Sequence, residues 1–226
     1  MHARGKFIAL EGIDGAGKRT QVELLGRALD RRGIAHADFS FPRYDSFFGQ
    51  SIARYLRGEF GPLSQVNPRL SALLYAGDRL EAKTQMEVAL RSCPLVVVDR
   101  YVASNLAHQG ARAEPGQREE FLAWVRQLEY EILGLPREDL IFYLRVPVAE
   151  SERRVAERAA RLTRDLHESD ARHLEAAAAI YEELARGPCW AVIESVDPST
   201  HQPRPPEAVH QQILETLETR LGLGRS

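Results

Sequence analysis

The stretch Phe7-Ile8-Ala9-Leu10-Glu11-Gly12-Ile13-Asp14-Gly15-Ala16-Gly17-Lys18-Arg19-Thr20 decides how the rest of the chain is read. A short apolar run ends in a glycine-rich turn, Gly12 and Gly17 stand with four residues between them, a lysine follows, and an apolar-periodic segment begins. Strand, glycine-rich turn and helix in that order let backbone N–H groups fold around a phosphate chain, with the lysine reaching the outer phosphates. The helix that follows points its positive end at the same anion. One position departs from the pattern. Directly after the lysine, where a Ser or Thr hydroxyl normally binds Mg²⁺, stands Arg19, and a hydroxyl appears only at Thr20. Either the metal is held differently, or Arg19 supplies charge the metal would otherwise provide.

Outward from this loop, short apolar runs alternate with long amphipathic stretches. Strands are expected at Phe7–Leu10, Ala37–Phe41, Leu95–Val98, Leu140–Leu144 and Ala191–Ile193. Helices are expected near Lys18–Arg32, Ser46–Leu56, Pro68–Arg91, Arg118–Leu133, Val148–Ala160, Ala171–Arg186 and Pro206–Leu221. Runs such as Leu95-Val96-Val97-Val98 are continuously apolar, as strands covered on both faces must be. The expected fold is therefore α/β of the P-loop NTPase type, a parallel five-stranded sheet flanked by helices. At 226 residues the chain suits one domain over residues 1–226. Loops gather at Ala111–Gln117 and Asp197–Pro206; the second is either near a ligand or a long surface loop.

A net charge of −2 gives no global basic field, so nucleic acid is not an expected partner. No apolar run is long enough for a signal peptide or membrane span, and Cys93 and Cys189 fit a reduced chain, so a cytoplasmic protein is expected.

Four further segments carry candidate chemistry. Asp99, at the end of Val96-Val97-Val98, sits where open α/β sheets bind ligands; it either organises Mg²⁺ or caps the next helix. Arg100 beside it is a natural phosphate clamp. Phe41-Pro42-Arg43-Tyr44 leaves the second strand stiffened by proline, which places Arg43 and Tyr44 on the same edge. Tyr75 and Arg79, four apart, share a helix face, as a base-stacking ring and guanidinium do, or a core tyrosine and surface arginine. Arg153, Arg154, Arg158, Arg161 and Arg164 lead into Asp165, His167, Glu168 and Asp170. Such density reads as a solvated helix face or as a mobile lid delivering charge to a transferring phosphoryl group. His167, Glu168 and His173 lack the spacing of a zinc site.

Taken together, Glu11 to Gln21, Phe41-Pro42-Arg43, Tyr75 to Arg79, and Asp99-Arg100-Tyr101-Val102-Ala103-Ser104-Asn105 resemble the thymidylate kinase family, over about Lys6 to Leu221. The resemblance implies ATP-dependent conversion of dTMP to dTDP, with Mg²⁺ accompanying ATP, in a homodimer. It implies that Gly12, Gly15, Ala16, Gly17, Lys18, Arg19 and Thr20 hold ATP. It puts dTMP against Asp14, Arg43, Tyr44, Tyr75, Arg79, Arg100, Ser104, Asn105 and His108. Tyr75 would stack on the base where the family usually has Phe, and His108 stands where an aromatic residue is common. Lys18, Asp14, Arg100 and Arg158 would be catalytic, Asp14 and Asp99 would face the metal, and Arg154, Arg158 and Arg161 would close as a lid over about residues 151–170. Gly15 matters too, because members of the other subgroup carry an arginine inside the loop; here the charge would come from the lid. Rival readings are a kinase for another nucleotide or deoxynucleoside, such as dUMP, and a nucleotide sensor without turnover.

Overall fold

Five parallel strands, β1 (Lys6–Glu11), β2 (His36–Ser40), β3 (Leu95–Asp99), β4 (Leu140–Arg145) and β5 (Trp190–Glu194), form one sheet in the order β2-β3-β1-β4-β5. This is a computed structural model, and it describes residues 4–159 and 171–223 apart from the side chains at 115, 158 and 159. β1, β3 and β4 occupy the middle of the sheet and are almost wholly buried, which is why their sequences are apolar without alternation. β2 and β5, at the edges, are half-exposed. The register sets Leu10 beside Asp99 and Glu11 beside Tyr143, so the turns after β1 and β3 open on the same edge. That edge is where an open α/β sheet forms its binding crevice.

The helices are α1 (Lys18–Arg31), α2 (Phe47–Leu56), α3 (Pro68–Ser92), α4 (Val102–Gly110), α5 (Arg118–Arg126), α6 (Val148–Ala159), α7 (Ala171–Leu184) and α8 (Pro206–Leu221). Local chemistry fixes their starts. Asn67 accepts from the Arg69 amide at 2.9 Å, and Pro68 follows in the first turn of α3. Ser46 caps α2 by accepting from Gly49 N at 2.9 Å.

Two elements differ from the sequence expectation. α4 was expected only as a site segment, because its residues are buried on nearly every side and leave no amphipathic period to read. The helix expected as one piece over Arg118–Leu133 is α-helical to Arg126 and π-wound over Gln127–Ile132. The wider turn carries Glu129 into the interior.

There Glu129 meets Arg79 of α3. Arg79 donates from Nε at 2.6 Å and Nη2 at 2.7 Å, and Asn105 of α4 adds its Nδ2 at 2.8 Å. The side chains of Arg79 and Glu129 are 2% and 0% exposed. Removing one partner of such a pair strands a charge in low dielectric and costs about 3–5 kcal/mol. Glu129→Leu is accordingly expected to lower the melting temperature by roughly 6–20 °C in a chain of this size. The half-exposed Arg32–Glu218 pair at 2.7 Å is the control. Glu218→Ala should cost no more than about 1 kcal/mol, and equal shifts in calorimetry would refute the difference.

Candidate active site

The loops after β1 and β3, with α1, α3, α4, α6 and the β5–α8 connection, enclose a cavity of about 1040 Å³. At one end is the glycine-rich loop. Gly15 has φ +73°, and a Cβ there would lie 2.7 Å from the Ser151 carbonyl oxygen at the start of α6. Gly12 has φ +144°, and its Cβ would meet the Leu144 carbonyl at 2.7 Å. Both positions therefore admit only glycine without movement of the backbone. Gly17, also left-handed, is the N-cap of α1, and no side chain caps that helix. Its first amides are left for an anion.

Lys18 folds back over the loop and donates to the Gly12 and Ile13 carbonyls at 2.8 and 2.9 Å. Burial, then the charge of Arg100, pulls its pKa down to about 8 against the opposing pull of Asp14, Asp99 and Glu11. Gly15, Ala16, Gly17, Arg19 and Thr20 line the cavity, whereas Gly12 contributes from behind through its carbonyl. The exposed Arg19 pairs with Glu23 one turn along α1 at 3.0 Å.

The middle of the cavity is built by the turn after β3. Arg100 adopts φ +64°, unusual for a residue with a side chain. Its Nη2 donates to Asp14 Oδ1, and its Nη1 lies 3.4 Å from His108 Nε2. Burial disfavours both charges, but mutual attraction wins: Asp14 is held well below the usual carboxylate range and Arg100 is raised. Asp99, next door, lines the cavity with a buried Oδ1 that has no hydrogen-bond partner among the described residues.

At the far end stand Tyr44, Tyr75, Arg79, Ser104, Asn105 and His108. Burial raises the Tyr75 phenol far above its ordinary value, so it stays neutral. Asn105 spends both Nδ2 hydrogens, on Ala72 O at 3.1 Å and Glu129, and its Oδ1 is buried without a partner among the described residues.

Two expected binding residues are occupied otherwise. Arg43 does not line the cavity: its amide and Nε bond the Asp78 carboxylate at 2.8 and 3.2 Å, and Nη2 bonds the Asp78 carbonyl at 3.1 Å. Asp78 is buried, so the guanidinium is pinned to α3 as a strut for the turn after β2. Ser104 reaches the cavity wall, but its hydroxyl donates to Glu11 Oε2 at 2.6 Å and lies 3.0 Å from the Tyr181 hydroxyl.

Arg154 of α6 reaches the loop, with Nη1 3.4 Å from the Gly15 carbonyl, while Nε donates to Glu150 at 2.6 Å. The Arg158 side chain and residues 160–170 of the expected lid, Arg161 among them, lie outside the described residues. The Asp197–Pro206 loop, left open between ligand contact and plain surface, lines the cavity through Pro203, Arg204 and Pro206. Sequence reasoning missed Glu11, Glu129 and Tyr181, buried partners of cavity residues, and Asp78, the buried partner of Arg43. Only the charge of a glutamate or aspartate inside an apolar run or helix signalled any of them.

A profile of the thymidylate kinase family matches residues 10–213. Thymidylate kinase from Mycobacterium tuberculosis (strain ATCC 25618 / H37Rv) is 39% identical over 200 residues, covering 85% of this chain and 93% of the relative. A probable thymidylate kinase from Thermococcus kodakarensis is 32% identical over 96% of this chain and 98% of its own length. A solved thymidylate kinase structure from Candida albicans superposes with a TM-score of 0.74 over 97% of this chain and 93% of its own, at 20% identity, and so speaks for the fold. With loop, sheet order and cavity in agreement, the chain belongs to the thymidylate kinase family, whose members phosphorylate dTMP to dTDP using ATP.

Proposed function

We propose that the cavity carries out this transfer with ATP at the glycine-rich loop and dTMP between α3 and α4. The observation that carries the reading is the pairing of donor and acceptor at the far end. Arg79 offers donors, and Asn105 Oδ1 is an unpartnered acceptor beside it. A pyrimidine carrying a ring N–H next to a carbonyl, as thymine and uracil do, matches that order. Cytosine presents the reverse and would leave buried groups unpaired. Tyr75, neutral and on the cavity wall, would stack on the base.

Arg100 would clamp the acceptor phosphate, turned toward it by the left-handed backbone and held in place by Asp14. The phosphate oxygen is already a nucleophile, so the protein's work is alignment and neutralisation of charge. Lys18, free to swing from the loop carbonyls to the outer phosphates, and the amides at the start of α1 would hold the donor. Mg²⁺ bound with ATP supplies Lewis-acid stabilisation of the charge spreading over the transferred group. Asp99 fits it, since its Oδ1 is buried and unpartnered; Asp14, committed to Arg100, fits it less well. Arg154, Arg158 and Arg161 would bring lid charge over the loop in a single domain, a role supported by Arg154 touching the Gly15 carbonyl.

Leu70, Leu73, Leu80 and Val88 lie on one face of α3 and are 49%, 45%, 41% and 50% exposed, with Phe47 of α2 at 71%. A second copy of this chain would cover that apolar face. A cytoplasmic location is supported by the two free cysteines and by the nucleotide substrates; enzyme activity should accordingly partition with the soluble cell fraction. No helix among the described residues is long and apolar enough to cross a membrane.

In a coupled ADP-release assay over monophosphates and deoxynucleosides, dTMP should be preferred over dCMP and thymidine. Arg79→Lys should raise the dTMP KM by about 1–3 kcal/mol equivalent while sparing that for ATP. Turnover with dCMP matching dTMP would refute the base assignment. Lys18→Ala and Arg158→Ala should each lower kcat roughly 10²–10³-fold with an unchanged circular dichroism spectrum. Because Lys18 acts as a cation, kcat/KM for ATP should fall as pH rises through about 8 in the wild type. A folded Lys18→Ala enzyme with ordinary turnover would remove the loop from the mechanism. Finally, the wild type should sediment as a dimer and the Leu73→Glu, Leu80→Glu double variant as a monomer; a dimer in both would place the interface elsewhere.

A further inference from the structure

One pair of side chains on the cavity wall has no part in this scheme. His108 of α4 and His173 of α7 face each other, with Nδ1 of the first 3.4 Å from Nε2 of the second and ring centroids 5.6 Å apart at 32°. The other nitrogen of His108, Nε2, lies 3.4 Å from Arg100 Nη1, and Arg100 Nη2 donates to Asp14. Catalytic hydrogen bonds are commonly long until substrate arrives.

The chemistry of the groups fixes the direction of this chain. Arginine can only donate, so His108 Nε2 has to be a bare acceptor. A neutral imidazole with a bare Nε2 carries its hydrogen on Nδ1, and that hydrogen points at His173. His173 Nε2 must then accept. The sequence of bonds runs from Arg100 outward, to Asp14 on one side and through His108 to His173 on the other.

The surroundings agree with a neutral His108. Burial lowers its pKa well below the ordinary value, Asp14 pulls the other way, and Arg100, His173 and Lys18 add to the lowering. The Tyr181 ring of α7 packs edge-on at 6.2 Å.

We propose that His173 is a positioning residue for the phosphate-clamping arginine. By accepting the Nδ1 hydrogen of His108, it holds that ring with its bare nitrogen toward Arg100. The guanidinium is then fixed between a carboxylate and an imidazole, and it meets the monophosphate already oriented. An arginine fixed in this way loses less freedom on binding, and the gain appears as affinity for the acceptor. The proposal rests on the assignment of Arg100 to the acceptor phosphate.

The test begins with ¹⁵N NMR of histidine-labelled wild-type protein above pH 7.5, which does not depend on activity. His108 should show a protonated Nδ1 and a bare Nε2. In His173→Leu the Nδ1 resonance should shift as its hydrogen loses its acceptor, and the dTMP KM should rise about two- to tenfold, the worth of one hydrogen bond. The ATP KM and the kcat at saturating dTMP should hold. His173→Gln, whose amide oxygen can accept, should bring the dTMP KM back toward wild type. A wild-type His108 protonated at Nε2, or equal dTMP KM values in the Leu and Gln variants, would overturn the proposal. A wild type with the expected tautomer and no turnover of dTMP would instead overturn the assignment of Arg100 beneath it.

Discussion

The α4 wall of the cavity depends on one buried carboxylate. Glu11, the last residue of β1, accepts from Tyr101 N at 2.7 Å, Ser104 N at 3.2 Å, Ser104 Oγ at 2.6 Å and the Tyr181 hydroxyl at 2.9 Å. α4 has no side-chain cap of its own, so Glu11 caps it from the neighbouring strand, taking the amides of the cap residue and of the third residue inside. A charge this deep is tolerable only when its lone pairs are filled. Filling them fixes where α4 begins, ties α7 to the same point, and leaves Arg100 as the last residue before the anchored Tyr101. The left-handed turn at Arg100 stands between two fixed points: its own amide bonds Leu10 O at 3.1 Å, and Tyr101 is tied to Glu11.

What the sequence reveals about this protein divides along a physical line. Periodicity and motif spacing are local, and they placed every strand within a residue or two and seven of the helices. α4 escaped because burial on nearly all sides erases the pattern that marks a helix. The π-wound segment escaped because its cause is tertiary: the apolar spacing of Arg118–Leu133 is helical, and only the partner waiting at Arg79 explains why Glu129 turns inward. Ser104 and Arg43 show the same limit for function. Each stands in a segment that reads as a ligand contact, and each has its polar atoms taken by a carboxylate that the local sequence does not reveal.

The arginines make the point most sharply. On the cavity wall or just behind it, Arg43 pairs with Asp78, Arg79 with Glu129, Arg100 with Asp14, and Arg154 with Glu150. The first three partners are 35, 50 and 86 residues away in sequence. A binding site for an anion needs cations, and a folded protein waiting for that anion needs those cations compensated. The carboxylates do this while fixing the direction of each guanidinium. The partners separate the arginines by position: Arg43, held by Asp78 with Glu81 3.6 Å away, does not line the cavity, whereas Arg100, paired with Asp14, does.

The same reasoning explains why charge must reach the loop from α6. At Gly15 the backbone approaches the first turn of α6 so closely that a Cβ would stand 2.7 Å from Ser151 O, and Ser151 Oγ bonds the Asp14 carbonyl across the gap. An arginine at position 15 would have to push α6 away and adopt φ +73° as well. The contact that forbids a cation within the loop also brings Arg154, one turn further along α6, to the Gly15 carbonyl. Close packing and charge supply are thus two consequences of one approach. Under the proposed scheme, a chain with glycine at that position would draw its positive group from α6, and a chain with a bulkier residue there would have to open that approach and lose the Arg154 contact with it.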